Sequence, residues 1–246
     1  GPNTISKLWF IENATSGSQS IIIKQGSGAT ITIANGQTKA IYSDGAGSGG
    51  AMVDAFTDLS LPSLFVDGSL KLNGNFPTGT DNVALGNAAL SGGSLSGAGN
   101  IAIGDSAGDA ITSGSNAVAI GRDVLGGAYT GSDAVAIGRS ALAALTSGSN
   151  NVAVGGLAGT SLTEGLQNTL VGTQAGDALT DADFNVAIGQ SSLTADTLGS
   201  RSTAVGYNTL GSQNFTTATN SNNVAVGYNA GASVTTGVSN VILGAL

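Results

Sequence analysis

The clearest pattern in the chain is a short apolar run that ends in glycine and returns at a fixed spacing. In its commonest form, at residues 118–121, two aliphatic residues enclose an alanine and a glycine follows. Seven of the nine intervals between successive glycines are 17 residues, and the others are 18 and 21. Such a period is typical of stacked supersecondary units. The ten glycines are Gly86, Gly104, Gly121, Gly138, Gly155, Gly172, Gly189, Gly206, Gly227 and Gly244.

The run itself predicts a β-strand that is apolar on both faces. Because side chains alternate along a strand, the aliphatic residues face one way and the alanines face the other. We expect the larger side chains to fill a coil and the alanines to pack against another copy of the chain. The opposite orientation also requires a second copy, because a strand that is apolar on both sides is buried on both sides. The expected packing column is Ala84, Ala102, Ala119, Ala136, Ala153, Ala187, Ala204 and Ala225.

Two further columns complete the predicted coil. Asparagine lies four residues before the glycine in seven of the ten copies, where it suits a turn and a ladder of stacked amides. A second segment, such as residues 140–146, follows the glycine and is expected to be the second strand of each coil. The glycine between them is expected to adopt a backbone conformation that other residues resist. About ten coils of 17 residues then form a parallel β-roll, an all-β solenoid, over residues 81–246.

Residues 1–80 carry different signals and are predicted to form a small antiparallel β module that caps or adjoins the repeats. Predicted strands at 29–34 and 38–43 flank Asn35-Gly36, which is the usual sequence of a two-residue hairpin turn. The other predicted elements of this part are strands at 7–11 and 20–24, a short helix at 51–59, strands at 63–66 and 69–72, and a connector at 73–80.

Composition excludes several functions. The chain has no cysteine and no histidine, which excludes disulfides and thiolate metal sites and removes the commonest general base. The net charge is −8, and residues 81–246 hold three arginines, ten acids and no lysine. Because an acidic solenoid repels phosphate backbones, nucleic-acid binding is not expected. No apolar run reaches the ~18 residues of a membrane span, so membrane insertion is not expected either.

No arrangement of residues predicts catalysis, so we expect no enzyme, cofactor or metal. Without histidine or a Ser-x-x-Lys motif, the serines lack an activating base. Asp105 with Asp109, and Asp181 with Asp183, lie close together in the sequence, and paired carboxylates can hydrolyse a glycosidic bond. These acids fall in predicted turns with no aromatic-lined cleft nearby, so we interpret them as solvated. A threonine column in the second segment leaves an ice-binding solenoid as a less favoured alternative.

The longest interval, between Gly206 and Gly227, predicts a surface loop over residues 211–223. Insertions in repeat proteins often map to a binding face. We therefore expect a polar and aromatic surface near this loop that contacts a host-cell glycan or protein. Its candidate residues are Tyr207, Asn214, Phe215, Thr216 and Tyr228.

The repeats also resemble a known family. The Asn-Val-Ala-Ile-Gly figure at 185–189 is similar to the head repeats of trimeric autotransporter adhesins, which are called YadA-like. The tyrosine-containing variants at 203–210 and 226–231, and the glycine-rich stretch at 44–50, look more like bacteriophage tail-fibre sequences. The resemblance implies a left-handed roll, a homotrimer, and a location in a virion or at an extracellular or cell surface. One difference is that the adhesin head repeats are shorter than 17 residues.

Our leading hypothesis is therefore a trimeric phage tail-fibre or tail-spike segment, a structural protein that attaches to a host surface. Symmetry would multiply weak contacts by avidity. The alternative is the head of a bacterial trimeric surface adhesin. The opening Gly1-Pro2 is typical of a protease-cleavage scar, so we expect the chain to be part of a longer protein.

Overall fold

The structure, a computed structural model, describes residues 8–43, 45–46, 49–55, 80–92 and 95–245. The chain separates into two compact units, residues 1–70 and 71–246, and each is described by itself. No α-helix occurs in the described residues, and all of their named elements are β-strands. The all-β prediction is confirmed, whereas the domain boundary expected at residue 80 stays a prediction.

The first unit contains two small antiparallel sheets. Strand β4 (Thr38–Ser43) lies between β1 (Leu8–Glu12) and β5 (Met52–Asp54) in one sheet, and β2 (Ile21–Lys24) pairs with β3 (Thr30–Ile33) in the other. The side chains of Ile33, Ile41 and Met52 are buried and form the apolar part of this unit. The small antiparallel sheet predicted for this part of the chain is confirmed within its described residues.

The prediction that the two strands flanking Asn35-Gly36 pair as a hairpin is wrong. Strand β3 pairs with β2, whereas β4 pairs with β1 and β5. The turn itself forms, since the amide of Gln37 donates to the carbonyl of Ala34 at 3.1 Å. Of the two central residues only Gly36 has a positive φ, at 75°. Positive φ at the second central residue alone is type II geometry, which directs the flanking strands apart.

The short helix expected at 51–59 is wrong for its described part. Residues 52–54 form strand β5, in which Met52 pairs with Ser43 of the neighbouring strand. The edge of β4 offers backbone hydrogen-bond partners, and this tertiary pairing overrides a weak helical spacing. The strands expected at 63–66 and 69–72, and the connector up to residue 79, lie outside the described residues.

Ten three-residue strands of the second unit stack in one parallel sheet. They pair in sequence order, and equivalent residues pair in adjacent coils, as Ala119 does with Ala136. The parallel β-solenoid is confirmed, whereas the handedness and the number of associated chains stay predictions. The strands are β6 (Val83–Leu85), β7 (Ile101–Ile103), β8 (Val118–Ile120), β9 (Val135–Ile137), β10 (Val152–Val154), β11 (Thr169–Val171), β12 (Val186–Ile188), β14 (Thr203–Val205), β16 (Val224–Val226) and β17 (Val241–Leu243); β13 (Gly199–Ser200) pairs with β15 (Thr219–Asn220) beside them.

The strand orientation that we expected first is wrong, and the opposite orientation is observed. The alanines face the coil interior, where Ala119 is 0% exposed, while its neighbours Val118 and Ile120 are only half-buried. The interior is already filled from the other side by large side chains such as Leu125 and Leu142, so the strand can add little more than a methyl group. The inward column is Ala84, which is partly buried, and Ala102, Ala119, Ala136, Ala153, Ala187, Ala204 and Ala225, which are fully buried.

The second segment of each coil is a series of turns rather than the expected strand. At residues 140–146, Ser140 and Leu142 have left-handed φ values of 56° and 49°. Alternation of left-handed residues with others cannot produce an extended strand, but it bends the chain back on itself. Backbone bonding between coils continues, because the amide of Leu142 donates to the carbonyl of Ala158 at 3.0 Å. The ten run-ending glycines also have positive φ values, between 126° and 141°.

Side-chain volumes match across the coil interior. Leu170 occupies the strand position that is alanine in most coils. It faces Gly176 in its own coil and Gly159 in the preceding coil, and each of these lies four residues after a run-ending glycine. A Cβ atom on Gly159 would lie 2.7 Å from Cδ1 of Leu170, and one on Gly176 would lie 2.9 Å from Cδ2. Ile242 and Gly231 repeat this relation at 2.9 Å. A large residue in the alanine column therefore requires a glycine opposite it.

Buried asparagines connect adjacent coils. Nδ2 of Asn168 donates to the carbonyl of Ala182 at 2.7 Å and to Oδ1 of Asn151 at 3.1 Å, and its Oδ1 accepts the amide of Asn185 at 2.9 Å. The left-handed residue of this turn is Gln167, one position earlier, with φ 55°. The ladder therefore runs chiefly from side chain to backbone, and it satisfies polar groups that water cannot reach.

The ring of Tyr129 occupies the interior where Ala117 and Ala134 interrupt the asparagine column. In other coils the buried asparagine donates to the carbonyl 14 residues later, so an asparagine at position 117 would donate to Gly131. A Cβ atom on Gly131 would lie 2.8 Å from the Tyr129 ring, so the ring lies close to this position. The hydroxyl of Tyr129 is buried and has no hydrogen-bond partner. Burial, together with the charge of Asp133, raises the pKa of Tyr129 well above its usual range.

The match of side-chain volumes predicts that substitutions at Leu170 and Gly176 have non-additive effects on stability. Leu170→Ala should destabilise the fold by about 2–5 kcal/mol, because it leaves a cavity. Gly176→Leu should also destabilise it, but the two changes together should cost less than their sum, since Leu142 shows that leucine adopts the required φ. Urea unfolding at one protein concentration measures each effect, and strictly additive costs would contradict the match.

Removal of an asparagine from the ladder should be costly. Asn168→Ala leaves the carbonyl of Ala182 and the amide of Asn185 without their partner, at about 1–3 kcal/mol for each buried group. The matched control is Asn87→Ala, which removes an exposed amide and should change the free energy of unfolding by less than ~0.5 kcal/mol. Equal effects of the two substitutions in thermal unfolding would refute this role of the ladder.

Tyr129→Phe should stabilise the protein by about 1 kcal/mol near neutral pH, because it removes an unpaired buried hydroxyl. The raised pKa also predicts alkaline destabilisation of the wild type. The unfolded chain ionises Tyr129 above pH ~10, so stability that is present below this pH declines as the pH rises toward the folded-state pKa. Unfolding between pH 8 and 11 should show a smaller decline for Tyr129→Phe, and parallel curves would contradict the assignment.

Candidate interaction surface

The outward face of the ten-stranded sheet forms a continuous apolar surface, which we name the outer strip. It consists of the first and third residue of each strand, because the middle residue faces the interior. Of its twenty residues all but two threonines are aliphatic. The outer strip is Val83, Leu85, Ile101, Ile103, Val118, Ile120, Val135, Ile137, Val152, Val154, Thr169, Val171, Val186, Ile188, Thr203, Val205, Val224, Val226, Val241 and Leu243.

Each residue of the outer strip is half-buried or exposed, so the described residues of the second unit do not cover this face fully. Leu85, Ile188 and Val226 are 47%, 39% and 40% exposed. Contiguous exposed apolar side chains of this kind are typical of a surface that binds another molecule. Parallel sheets are almost always covered on both faces, so this surface is the candidate interaction site.

Two of the predicted contact residues lie together on the surface. The rings of Tyr207 and Tyr228 stack with centroids 5.2 Å apart and planes 13° apart, and they are 44% and 55% exposed. Each tyrosine follows the run-ending glycine of its coil, so the two rings stand directly beyond the outer strip. Nδ2 of Asn208 donates to Oδ1 of Asn229 at 3.1 Å beside them. Stacked rings of this kind can contact a planar or apolar ligand surface.

The other predicted contact residues are placed differently. Phe215 is 6% exposed, so its ring is not available at the surface and its expected exposure is wrong. Asn214 is half-buried and its Oδ1 accepts the hydroxyl of Thr197 at 3.1 Å, while Thr216 is exposed. The segment between Gly206 and Gly227 therefore buries the ring of Phe215 instead of exposing it at the surface.

Sequence reasoning missed a buried polar cluster in this interval. Asp196 is fully buried, and its carboxylate accepts the amides of Gly199 and Phe215 at 3.1 Å and 2.9 Å and the side-chain amide of Gln213 at 2.5 Å. Gln213 also accepts Nδ2 of Asn223 at 2.8 Å. Asp196 and Gln213 occupy the position that holds a buried leucine or isoleucine in most other coils, and that break of pattern was the available signal.

One member of each acid pair accepts a hydrogen bond from the preceding coil. Asp105 is exposed and accepts Nδ2 of Asn87 at 3.0 Å, and Asp183 accepts the backbone amide of Leu166 at 2.7 Å. Within the described residues no group of three or more acids, histidines or cysteines could hold a metal ion. The threonine column donates along the stack, as Thr163 does to the carbonyl of Thr180 at 3.2 Å.

An apolar recess of about 360 Å³ lies beside the last strand of the sheet. Its lining contains no titratable side chain, so it offers no acid–base chemistry. In the part of the chain that the structure describes, no helix has the length and hydropathy of a membrane span. The lining residues are Ala230, Gly231, Ser233, Val234, Ile242, Leu243, Gly244 and Ala245.

The fold defines the class of the protein as a parallel β-solenoid built from stacked repeats, compatible with a β-roll repeat protein. Comparison with known proteins found no matching family model, no matching curated protein and no matching solved structure.

Proposed function

We propose that the chain is a segment of a self-associating fibre, in which copies cover one another's outer strips. The observation that supports this is a ten-stranded parallel sheet whose outward face is aliphatic at all but two positions. Burial of these aliphatic side chains against other copies would stabilise the assembly by about 25 cal/mol for each Å² removed from water. The proposal is a homotrimer, as the resemblance to fibre and adhesin repeats implies.

The proposed role of the fibre is attachment of a virion, as part of a tail fibre or tail spike, to a host surface. Ten strands at ~4.8 Å spacing give the solenoid a length of roughly 45 Å, which suits a stiff spacer. The exposed Tyr207 and Tyr228 are the proposed contact residues for a surface glycan or protein. In a trimer three such pairs would act together, so weak individual contacts would sum by avidity. The adhesin head remains the alternative reading.

Substitutions in the outer strip should separate the copies without unfolding the chain. We expect wild-type protein to have about three times the 23.7 kDa chain mass by light scattering, and the double variant Ile137→Lys/Val154→Lys to have the mass of one chain. Both positions are half-buried within a single chain, so a lysine can extend into water.

The matched control is Ser147→Lys, which adds the same side chain at an exposed turn residue and should keep the wild-type mass. A wild-type monomer would refute the proposal. Labelled wild-type protein should also bind whole bacteria of a susceptible strain more tightly than the lysine double variant does. Equal binding by the two proteins would contradict attachment by avidity.

A further inference from the structure

Two columns of exposed side chains border the outer strip along its length. The entry column lies two residues before each strand, and the exit column directly follows each run-ending glycine. The entry column is Asp81, Gly99, Asn116, Asp133, Asn150, Gln167, Phe184, Arg201, Asn222 and Ser239; the exit column is Asn87, Asp105, Arg122, Arg139, Gly156, Thr173, Gln190, Tyr207, Tyr228 and Ala245. Each coil thus carries one member of each column, at opposite ends of its strand.

The two ends of one coil have complementary chemistry. In the fourth coil the entry residue is Asp133 and the exit residue is Arg139, and in the eighth coil the entry residue is Arg201 and the exit residue is Tyr207. Within one chain the strand separates each pair. Asp133 instead accepts Nδ2 of Asn116 at 3.2 Å, and in the described part of the chain the guanidinium of Arg139 has no hydrogen-bond or ion-pair partner.

The direction of association decides which columns meet. When copies are related by an axis along the stack, the exit column of one copy lies against the entry column of the next, coil for coil. When they are antiparallel, exit meets exit and the coil order is reversed, so that Arg139 faces Gln190 and no arginine faces an acid. Only the parallel arrangement therefore gives Arg139 an opposite charge.

We propose that Arg139 of one copy pairs with Asp133 of the neighbouring copy, and that this contact aligns the copies parallel and level. The inference depends on the proposed self-association, because it concerns the edges of the same interface. The aliphatic strip supplies the affinity, and the charged edge selects the orientation.

Closure of the assembly favours the same alignment. A slip of one coil would bring Arg122 opposite Asp133, but each added copy would then climb one coil along the axis. A constant climb gives an open helical filament, whereas level copies close into a ring. Because Arg139 and Asp133 belong to the same coil, their pairing is compatible with a closed assembly.

A single spin label tests the alignment. The chain has no cysteine, so Asn87→Cys introduces a unique labelling site in the first coil. In a parallel and level assembly all labels lie at the same end, and electron–electron distance measurements should give one distribution below ~30 Å. Antiparallel copies would place the labels about nine coil spacings apart along the axis, or ~43 Å before any lateral offset, and this result would overturn the proposal.

Charge exchange tests the pair itself. Arg139→Asp and Asp133→Arg should each raise the dissociation constant of the assembly about three- to tenfold, and the double variant should return it to within about twofold of wild type. Arg201 shows that arginine adopts the left-handed φ of the entry column. Asp133→Asn is the control that retains an acceptor for Asn116 while it removes the charge.

The outcomes separate the two proposals. A wild-type monomer refutes the self-association on which the pairing depends. An oligomer with distant labels refutes only the parallel alignment. An oligomer with close labels, in which the exchanged double variant dissociates as readily as the single variants, refutes the assignment of Arg139 and Asp133. Circular dichroism of each variant confirms that the chain is folded.

Discussion

Coil-to-coil hydrogen bonding is the constraint on which the rest of the second unit depends. The described residues of the second unit contain no α-helix and no antiparallel strand pair, and the backbone amides of each coil bond chiefly to the coils beside it. Equal coil lengths keep donors opposite acceptors, which explains why most intervals are 17 residues. The 18- and 21-residue intervals keep the same strand register, so their extra residues lie outside the strands of the ten-stranded sheet. The buried asparagines extend the same rule to side chains, since Asn168 and Asn185 bond across the interior where water has no access.

Narrowness of the coil explains why the sheet exposes its larger residues. The turn segment contributes side chains such as Leu142 and Leu145 to the interior, and the strand can then contribute only alanine. Where the strand contributes Leu170, the facing turn residues are Gly159 and Gly176. The aliphatic residues of the strand consequently face outward, and the molecule presents on one side the kind of surface that parallel sheets normally bury. The apolar outer face therefore follows from a limit on interior volume.

The one long interval shows how a solenoid accommodates an insertion. The extra residues are held by the short pair of β13 and β15 and by the polar cluster of Asp196, Gln213 and Asn223. An apolar layer would tolerate several arrangements of the longer loop, whereas buried polar groups are satisfied in only one. The neighbouring pair of Tyr207 and Tyr228 is thereby presented from a rigid coil, which suits a contact surface.

The sequence by itself determined the repeat, its period, the strands that end at glycine and the apolar character of both of their faces, because these follow from alternation and spacing. It did not determine which face points inward, since Val118 and Ala119 are both apolar and only packing against Leu125 decides between them. Nor did it show that residues 140–146 are turns, because a leucine with left-handed φ has no local signature. The burial of Phe215 and the stacking of two distant tyrosines likewise depend on neighbouring coils. The local sequence pattern specifies the strands, but the interior volume and the contacts between coils determine which face of each strand points inward.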